Sequence, residues 1–173
     1  MRRPLFIIWG VFMFFRPHLK KEHITDITID DLKALGVDTL ILDVDNTLSK
    51  HHSQTAAPGV IDWIADMQRE GIKLIILSNA RRARVEPFAN MLGLDFLPLG
   101  LKPLTGGYRK IRKRIGLKKE QIATVCDQLF TDMLGGNLAG IKCILVTPYE
   151  EEDKPSFRIR RKLEKVMLKR YGY

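Results

Sequence analysis

Cysteine is scarce in this 173-residue chain: there are two, Cys126 and Cys143. Both sit inside apolar runs, which excludes a disulfide framework and predicts small buried hydrophobes in a reducing compartment. A membrane-spanning helix is not expected. The apolar N-terminal stretch, residues 5–15, contains Trp9 and four phenylalanines but is shorter than the about 20 residues a spanning helix needs. It follows Arg2-Arg3 as a signal peptide would, yet leads into Arg16-Pro17-His18 rather than a small-residue cleavage site. Two readings of this stretch stand: a segment folded onto the domain, or an interfacial anchor with an aromatic-rich apolar face. Internal repeats and low-complexity segments are also missing. With 45% hydrophobic and 28% charged residues, the composition is that of a globular chain, and the length suits one core.

Acidic residues are nearly missing from one end. Residues 154–173 hold eight Lys or Arg and one Glu, a net of +7 out of +9 for the whole chain. A second basic run, residues 109–119, carries seven Lys or Arg. This asymmetry points to an anionic partner: a membrane surface, nucleic acid or a phosphorylated substrate. Solvated helix faces are the plain alternative.

What the chain does contain is a regular alternation of short apolar runs and amphipathic segments. Residues 28–36 read as a short helix stopped by Gly36, and 39–43 as a strand. Residues 58–71 read as an amphipathic helix, and 72–77 as a buried strand. Further on, 81–92 is a helix ended by Gly93, 95–99 a strand, and 105–115 a basic helix ended by Gly116. Residues 121–126 are a strand, 130–139 a helix containing Gly135-Gly136, and 141–147 the last core strand. Such βαβ units specify an α/β fold around a parallel sheet. After the charged stretch 150–155, Ser156 is placed to cap a final helix with apolar positions Ile159, Leu163, Val166 and Met167.

Polar residues gather where the strands end. Asp43 and Asp45 close the first core strand in Asp43-Val44-Asp45-Asn46-Thr47-Leu48. In an open α/β sheet the crevice beyond the carboxyl ends of the strands is the ligand site. Two carboxylates that close together need a shared proton or a metal ion, unless Asp45 and Asn46 merely bond their own backbone in a turn. Ser78-Asn79 ends the second strand at a helix start, where backbone N–H groups hold phosphate or a side chain simply caps the helix. Lys102-Pro103 follows the third strand. Asp127 ends the fourth, with Asp132 and Asn137 beyond it, and hard oxygen ligands there suit a divalent metal.

Taken together, D-V-D-N-T-L, S-N, K-P and C-D-Q-L-F-T-D resemble the four motifs of the haloacid dehalogenase-like (HAD) superfamily of aspartate-nucleophile phosphatases. More narrowly, L-S-N-A, G-L-K-P and D-Q-L-F-T-D-x-x-G-G-N look like the YqeG-type branch of subfamily IIIA, which is related to phosphatidylglycerophosphate phosphatases. R-P-H-L upstream and R-I-R-R-K-L-E near the end extend the likeness over nearly the whole chain. One departure is Cys126, standing where the family usually has Gly before the metal-binding Asp.

The resemblance implies a Rossmann-like three-layer sandwich with a five-stranded parallel sheet of order 3-2-1-4-5. It divides the chain into an N-terminal arm (1–27), a phosphatase domain (28–149) and a basic linker and helix (150–173). It implies Asp43 as the nucleophile and Asp45 as the acid and base, with Lys102 neutralising and orienting. Ser78 and Asn79 would join Lys102 in binding phosphate. Mg²⁺ would be held by Asp43, Asp45 through its carbonyl, Asp127 and, directly or through water, Asp132. Thr47 and Asn137 are implied as supporting residues.

The short spans between motifs leave no room for an inserted cap domain. With both termini suited to a membrane, the expectation is a Mg²⁺-dependent phosphomonoesterase on a lipid headgroup such as phosphatidylglycerophosphate. It would be cytoplasmic and peripheral on an anionic membrane. A soluble or nucleic-acid phosphate as substrate, and a non-catalytic basic scaffold, are the competing expectations.

Overall fold

The structure, a computed structural model, describes residues 14–150 and 155–172, with side chains of the last helix described from residue 158. Most of the apolar stretch 5–15 and most of the charged linker therefore lie outside the described residues. Among the described residues, six strands form one parallel sheet: β1 (Leu19–Lys21), β2 (Thr39–Leu42), β3 (Lys73–Leu77), β4 (Asp95–Leu97), β5 (Ile122–Cys126) and β6 (Lys142–Val146). Their order is β1-β6-β5-β2-β3-β4. The expected 3-2-1-4-5 order holds for the five core strands, and the expected count of five is corrected to six. The extra strand comes from within the segment assigned to an N-terminal arm. Leu19, Lys20 and Lys21 pair with Ile144, Leu145 and Val146. Beyond that strand, Ile24 and Ile27 are fully buried in the main core, so an arm boundary at residue 27 cuts through folded structure.

The helices are α1 (Ile29–Leu35), α2 (Val60–Arg69), α3 (Arg82–Leu92), α4 (Gly106–Ile115), α5 (Leu134–Ala139) and α6 (Pro155–Arg170). Side chains of successive strand residues point to opposite faces, and the sheet divides its core accordingly. Leu40, Leu42 and Ile76 pack beneath α1, α2 and α3 through Leu32, Trp63, Ile64, Met67, Val85 and Phe88. Ile41, Ile75 and Leu77 pack on the other face against Tyr108 and Ile111 of α4. A third cluster joins the buried, unbridged Cys126 and Cys143 to Phe15, Leu129, Met133, the α6 residues Met167 and Leu168, and Tyr171 just past the helix.

Two departures bear on the site. The segment expected as one helix over 130–139 opens with a π-helical turn, Leu129–Met133, before α5 begins. Gly135 and Gly136 then lie so close to their surroundings that a Cβ on Gly135 would stand 3.0 Å from the Pro103 carbonyl oxygen. One on Gly136 would stand 2.7 Å from Cys143 Sγ. The glycine pair therefore seats α5 directly on the sheet and beside the Lys102-Pro103 turn, with Asp132 just ahead of it. Second, α6 turns three of its four spaced apolar positions outward: Ile159, Leu163 and Val166 are exposed. Its inner face consists of Arg161, Glu164, Met167 and Leu168, with Tyr171 packing just past its end. No helix among the described residues is long and apolar enough to cross a membrane.

Candidate active site

The carboxyl ends of β2, β3 and β5, together with the loop after β4, converge on one buried cation. Lys102 is 6% exposed overall. Its Nζ donates to Asp43 Oδ1 at 2.7 Å and to the Leu77 carbonyl at 2.8 Å, and it lies 2.5 Å from Asp132 Oδ1. Asp43 follows β2 directly and is held there by donating its N–H to the Val125 carbonyl of the neighbouring strand. Lys102 is fixed at its backbone by Asn79, whose Oδ1 accepts the Lys102 N–H at 2.7 Å and whose Nδ2 donates to the Lys102 carbonyl at 3.0 Å. The side chain of Asn79, whose backbone N–H is the expected phosphate donor, thus serves as a clamp between two loops. Ser78 is buried beside it, and its Oγ accepts the Ala80 N–H at 3.1 Å.

Burial pushes the Asp43 carboxyl up to about 7, with the Asp132 charge adding to the rise and Lys102 opposing it. Burial likewise pushes Asp127 up to about 8 against the pull of Arg161, and the charge of Asp43 contributes to the rise. For Lys102, burial works against the ammonium, but Asp132 and Asp43 outweigh it and hold its pKa above the ordinary value.

Asp45 stands slightly apart, at the start of a tight turn in which the Val44 carbonyl accepts N–H bonds from Thr47, Leu48 and Ser49. Asn46 takes the left-handed conformation this turn requires (φ 60°). The Asp45 carboxylate accepts the His52 N–H at 2.8 Å and a bond from Arg84 Nη2 at 3.1 Å. Thr47 is fully buried, with its hydroxyl lacking a protein partner. Asp132, expected beside a metal, has both oxygens engaged: Oδ1 by Lys102 and Oδ2 by the Thr131 hydroxyl at 2.9 Å. Asn137 lies away from the site and donates to the Phe14 carbonyl at 2.7 Å, fastening the N-terminal segment to α5.

Two participating arginines escaped the sequence reading. Arg84 sits in the first turn of α3, the helix that leaves the Ser78-Asn79 loop. Arg161 of α6 pairs with the Asp127 carboxylate, donates to the Asp127 carbonyl at 2.7 Å, and bonds Glu164 Oε2 at 2.9 Å. Glu164 in turn accepts the Leu129 N–H at 2.9 Å. The one available signal was Glu164 itself, the single acid in a basic tail. The site is therefore less open than the missing cap suggests, because α6 lies over the Asp127 loop.

The donor set fits a hard divalent ion. Asp127 Oδ1 is buried without a hydrogen-bond partner, on a residue close enough to Asp43 to feel its charge. Among the described residues no three His, Cys, Asp or Glu side chains form a closed metal cluster. Mg²⁺ does not need one, since it is commonly held by one or two carboxylates with waters and substrate phosphate. A recess of about 850 Å³ opens at the opposite edge of the sheet beside Gly71, Lys73 and Asn90 and gathers none of these groups.

A Bacillus subtilis protein named "Probable phosphatase YqeG" is 37% identical over 163 residues, covering 92% of this chain and 95% of that one. A phosphatidylglycerophosphate phosphatase 1 of Arabidopsis thaliana is 25% identical, covering 91% of this chain but 48% of the relative. That of Chlamydomonas reinhardtii is 26% identical, covering 90% and 61%. Among solved structures, a D,D-heptose 1,7-bisphosphate phosphatase from B. bronchiseptica superimposes with a TM-score of 0.56 at 20% identity, over 73% of this chain and 87% of that one. A 4-nitrophenylphosphatase from Thermotoga maritima gives 0.57 at 13% identity, over 70% and 89%. Both place the fold. The sequence profile of the haloacid dehalogenase-like hydrolases matches residues 8–140, and with the relative that is alike over nearly its full length this makes the chain a member of the haloacid dehalogenase-like hydrolase family.

Proposed function

We propose that the protein is a Mg²⁺-dependent phosphomonoesterase that uses Asp43 as its nucleophile and acts on a lipid headgroup, phosphatidylglycerophosphate being the substrate the resemblance favours. The observation that carries the chemistry is the buried Lys102 ammonium lying between Asp43 and Asp132. A carboxylate attacking a phosphoryl group faces like-charge repulsion, and a fixed cation at that point offsets it. Asp43 Oδ2 would attack phosphorus as the bond to the leaving oxygen breaks, giving an aspartyl-phosphate. Asp45, held by Arg84 and the His52 N–H, would give its proton to the leaving oxygen and then take one from the water that releases phosphate. Ser78 and the Asn79 N–H would bind phosphoryl oxygens. Mg²⁺ held by Asp43, Asp127 and the Asp45 carbonyl would supply further charge neutralisation and keep Asp43 ionised.

The lipid assignment rests on the named relatives, on the basic segments, and on the exposed stripe Ile159, Leu163 and Val166 along a basic helix. An anionic membrane surface is the partner this implies. With Mg²⁺ and phosphatidylglycerophosphate in mixed micelles, the wild type should release phosphate and Asp43→Asn essentially none. If both are equally inactive on the lipid but the wild type cleaves soluble or nucleic-acid phosphomonoesters, the lipid claim falls and the phosphatase chemistry stands.

A further inference from the structure

The loop after β4 holds three exposed leucines around the buried catalytic lysine, in Pro98-Leu99-Gly100-Leu101-Lys102-Pro103-Leu104. Leu99, Leu101 and Leu104 are 56%, 63% and 65% exposed. Leu99 and Leu101 both take left-handed backbone, with φ of 50° and 54°, a conformation that glycine adopts freely and leucine does not. The loop is nevertheless fixed in place. Leu99 N–H donates to the Ala80 carbonyl at 3.0 Å and Gly100 N–H to the Ser78 carbonyl at 2.8 Å. Lys102 is clamped by Asn79, and Leu104 N–H donates to the Leu101 carbonyl at 2.8 Å. Gly100 has no room for change, since a Cβ there would stand 2.8 Å from Leu77 Cδ1.

Strained leucines that face outward contribute little to the core. Strain of this kind persists at sites where a ligand or partner uses it, and outward leucines gain only when something apolar covers them. The surroundings specify the chemistry of that partner. Leu99, Leu101 and Leu104 line a recess of about 310 Å³ together with Arg109 and Lys110 of α4. Helix α4 carries no acidic residue from Gly106 to Ile115. Apolar side chains rimmed by cations match the interface of an anionic bilayer, where leucines reach the acyl boundary and Arg and Lys meet phosphates.

We propose that residues 99–104 are a membrane-docking loop that seats the sheet edge bearing Asp43 and Lys102 on an anionic phospholipid surface. This inference rests on the lipid-headgroup reading for its purpose, but it is tested without any substrate. The full-length protein is sedimented with phosphatidylcholine vesicles with and without phosphatidylglycerol, none containing a phosphomonoester. The wild type should bind the anionic vesicles and weaken as salt rises. The triple variant Leu99→Gln, Leu101→Gln, Leu104→Gln should bind about a hundredfold more weakly. Met91→Gln and Leu138→Gln, comparably exposed at the C-terminal ends of α3 and α5 that lead to the other sheet edge, should bind as the wild type does.

Leu101→Gly separates docking from folding. It should weaken vesicle binding several-fold while the thermal midpoint stays unchanged or rises, because glycine relieves the left-handed strain. Absence of binding to anionic vesicles, or binding indifferent to the leucines, would overturn the proposal and leave a protein partner as the occupant of the loop. Phosphate release from phosphatidylglycerophosphate in detergent micelles without vesicle binding would overturn docking alone. Vesicle binding without hydrolysis would instead overturn the assigned substrate.

Discussion

Replacing Lys102 by methionine removes the charge while nearly preserving the length of the side chain, so it isolates the electrostatic role of this residue. In the folded protein the ammonium serves two carboxylates and one carbonyl, and its side chain is 2% exposed. Water has little access to replace it. Breaking a buried ion pair by deleting one partner costs about 3–5 kcal/mol, because the other charge is left uncompensated. For a domain of this size each kcal/mol shifts the melting temperature by roughly 2–4 °C, so a fall of about 10 °C is expected at pH 8 in EDTA.

The loss should shrink on acidification. The Asp43 carboxyl, already raised by burial to about 7 with Lys102 present, rises further once that cation is gone, and at pH 5 it is protonated rather than stranded as a charge. The remaining penalty there is that of lost hydrogen bonds, about 1–3 kcal/mol. Thermal melts of metal-free wild type and Lys102→Met from pH 5 to 8 make the comparison. A penalty that is small at pH 8, or that does not change across this range, would refute the placement of Lys102 as the charge partner of Asp43 and Asp132.

Other consequences are open to similar tests. Asp43 and Asp127 bind protons in the folded metal-free protein up to about pH 7 and about pH 8, whereas unfolded carboxyls release theirs near pH 4. The folded state thus binds more protons across this window, so metal-free stability should fall as pH rises from 4 to 8. Mg²⁺ should raise the melting temperature more at pH 8 than at pH 5, and calorimetry with and without EDTA checks both. Arg161→Gln removes the cation on Asp127 and, above about pH 8 where that carboxyl is ionised, should destabilise the metal-free protein by about 3–5 kcal/mol, with Mg²⁺ recovering part of the loss in the same assay. Gly136→Ala should cost about 1–3 kcal/mol through overpacking, since its Cβ would meet Cys143 Sγ at 2.7 Å and Thr124 Cγ2 at 2.8 Å. Denaturant titration reads that change directly.

The core strands were legible because most are continuous apolar runs bounded by turn residues, a pattern that a parallel sheet buried on both faces demands, whereas their order came from the family resemblance. Strand β1 carries no such signal. Leu19-Lys20-Lys21 is a three-residue edge strand, and its place is set by backbone pairing to β6 that no side-chain pattern records. The gathering of Asp43, Ser78, Lys102 and Asp127 at one edge was also legible, since strand ends in an open α/β sheet share that edge whatever their distance in sequence. Arg84 and Arg161 were not. Each meets its aspartate across 39 and 34 residues and approaches from a helix, so the contact depends on helix rotation. The same uncertainty of rotation explains α6, where helical spacing identified an apolar stripe without telling whether it faces in or out.

The assignment of Asp43 as nucleophile is tested most directly by trapping what forms on it. The protein with Mg²⁺ and a phosphomonoester substrate is quenched in acid during turnover, digested, and its peptides are weighed by mass spectrometry. The account predicts one phosphoryl group on Asp43, labile to hydroxylamine and missing from Asp43→Asn. Turnover with no adduct on Asp43, or hydrolysis by Asp43→Asn at the wild-type rate, would contradict it.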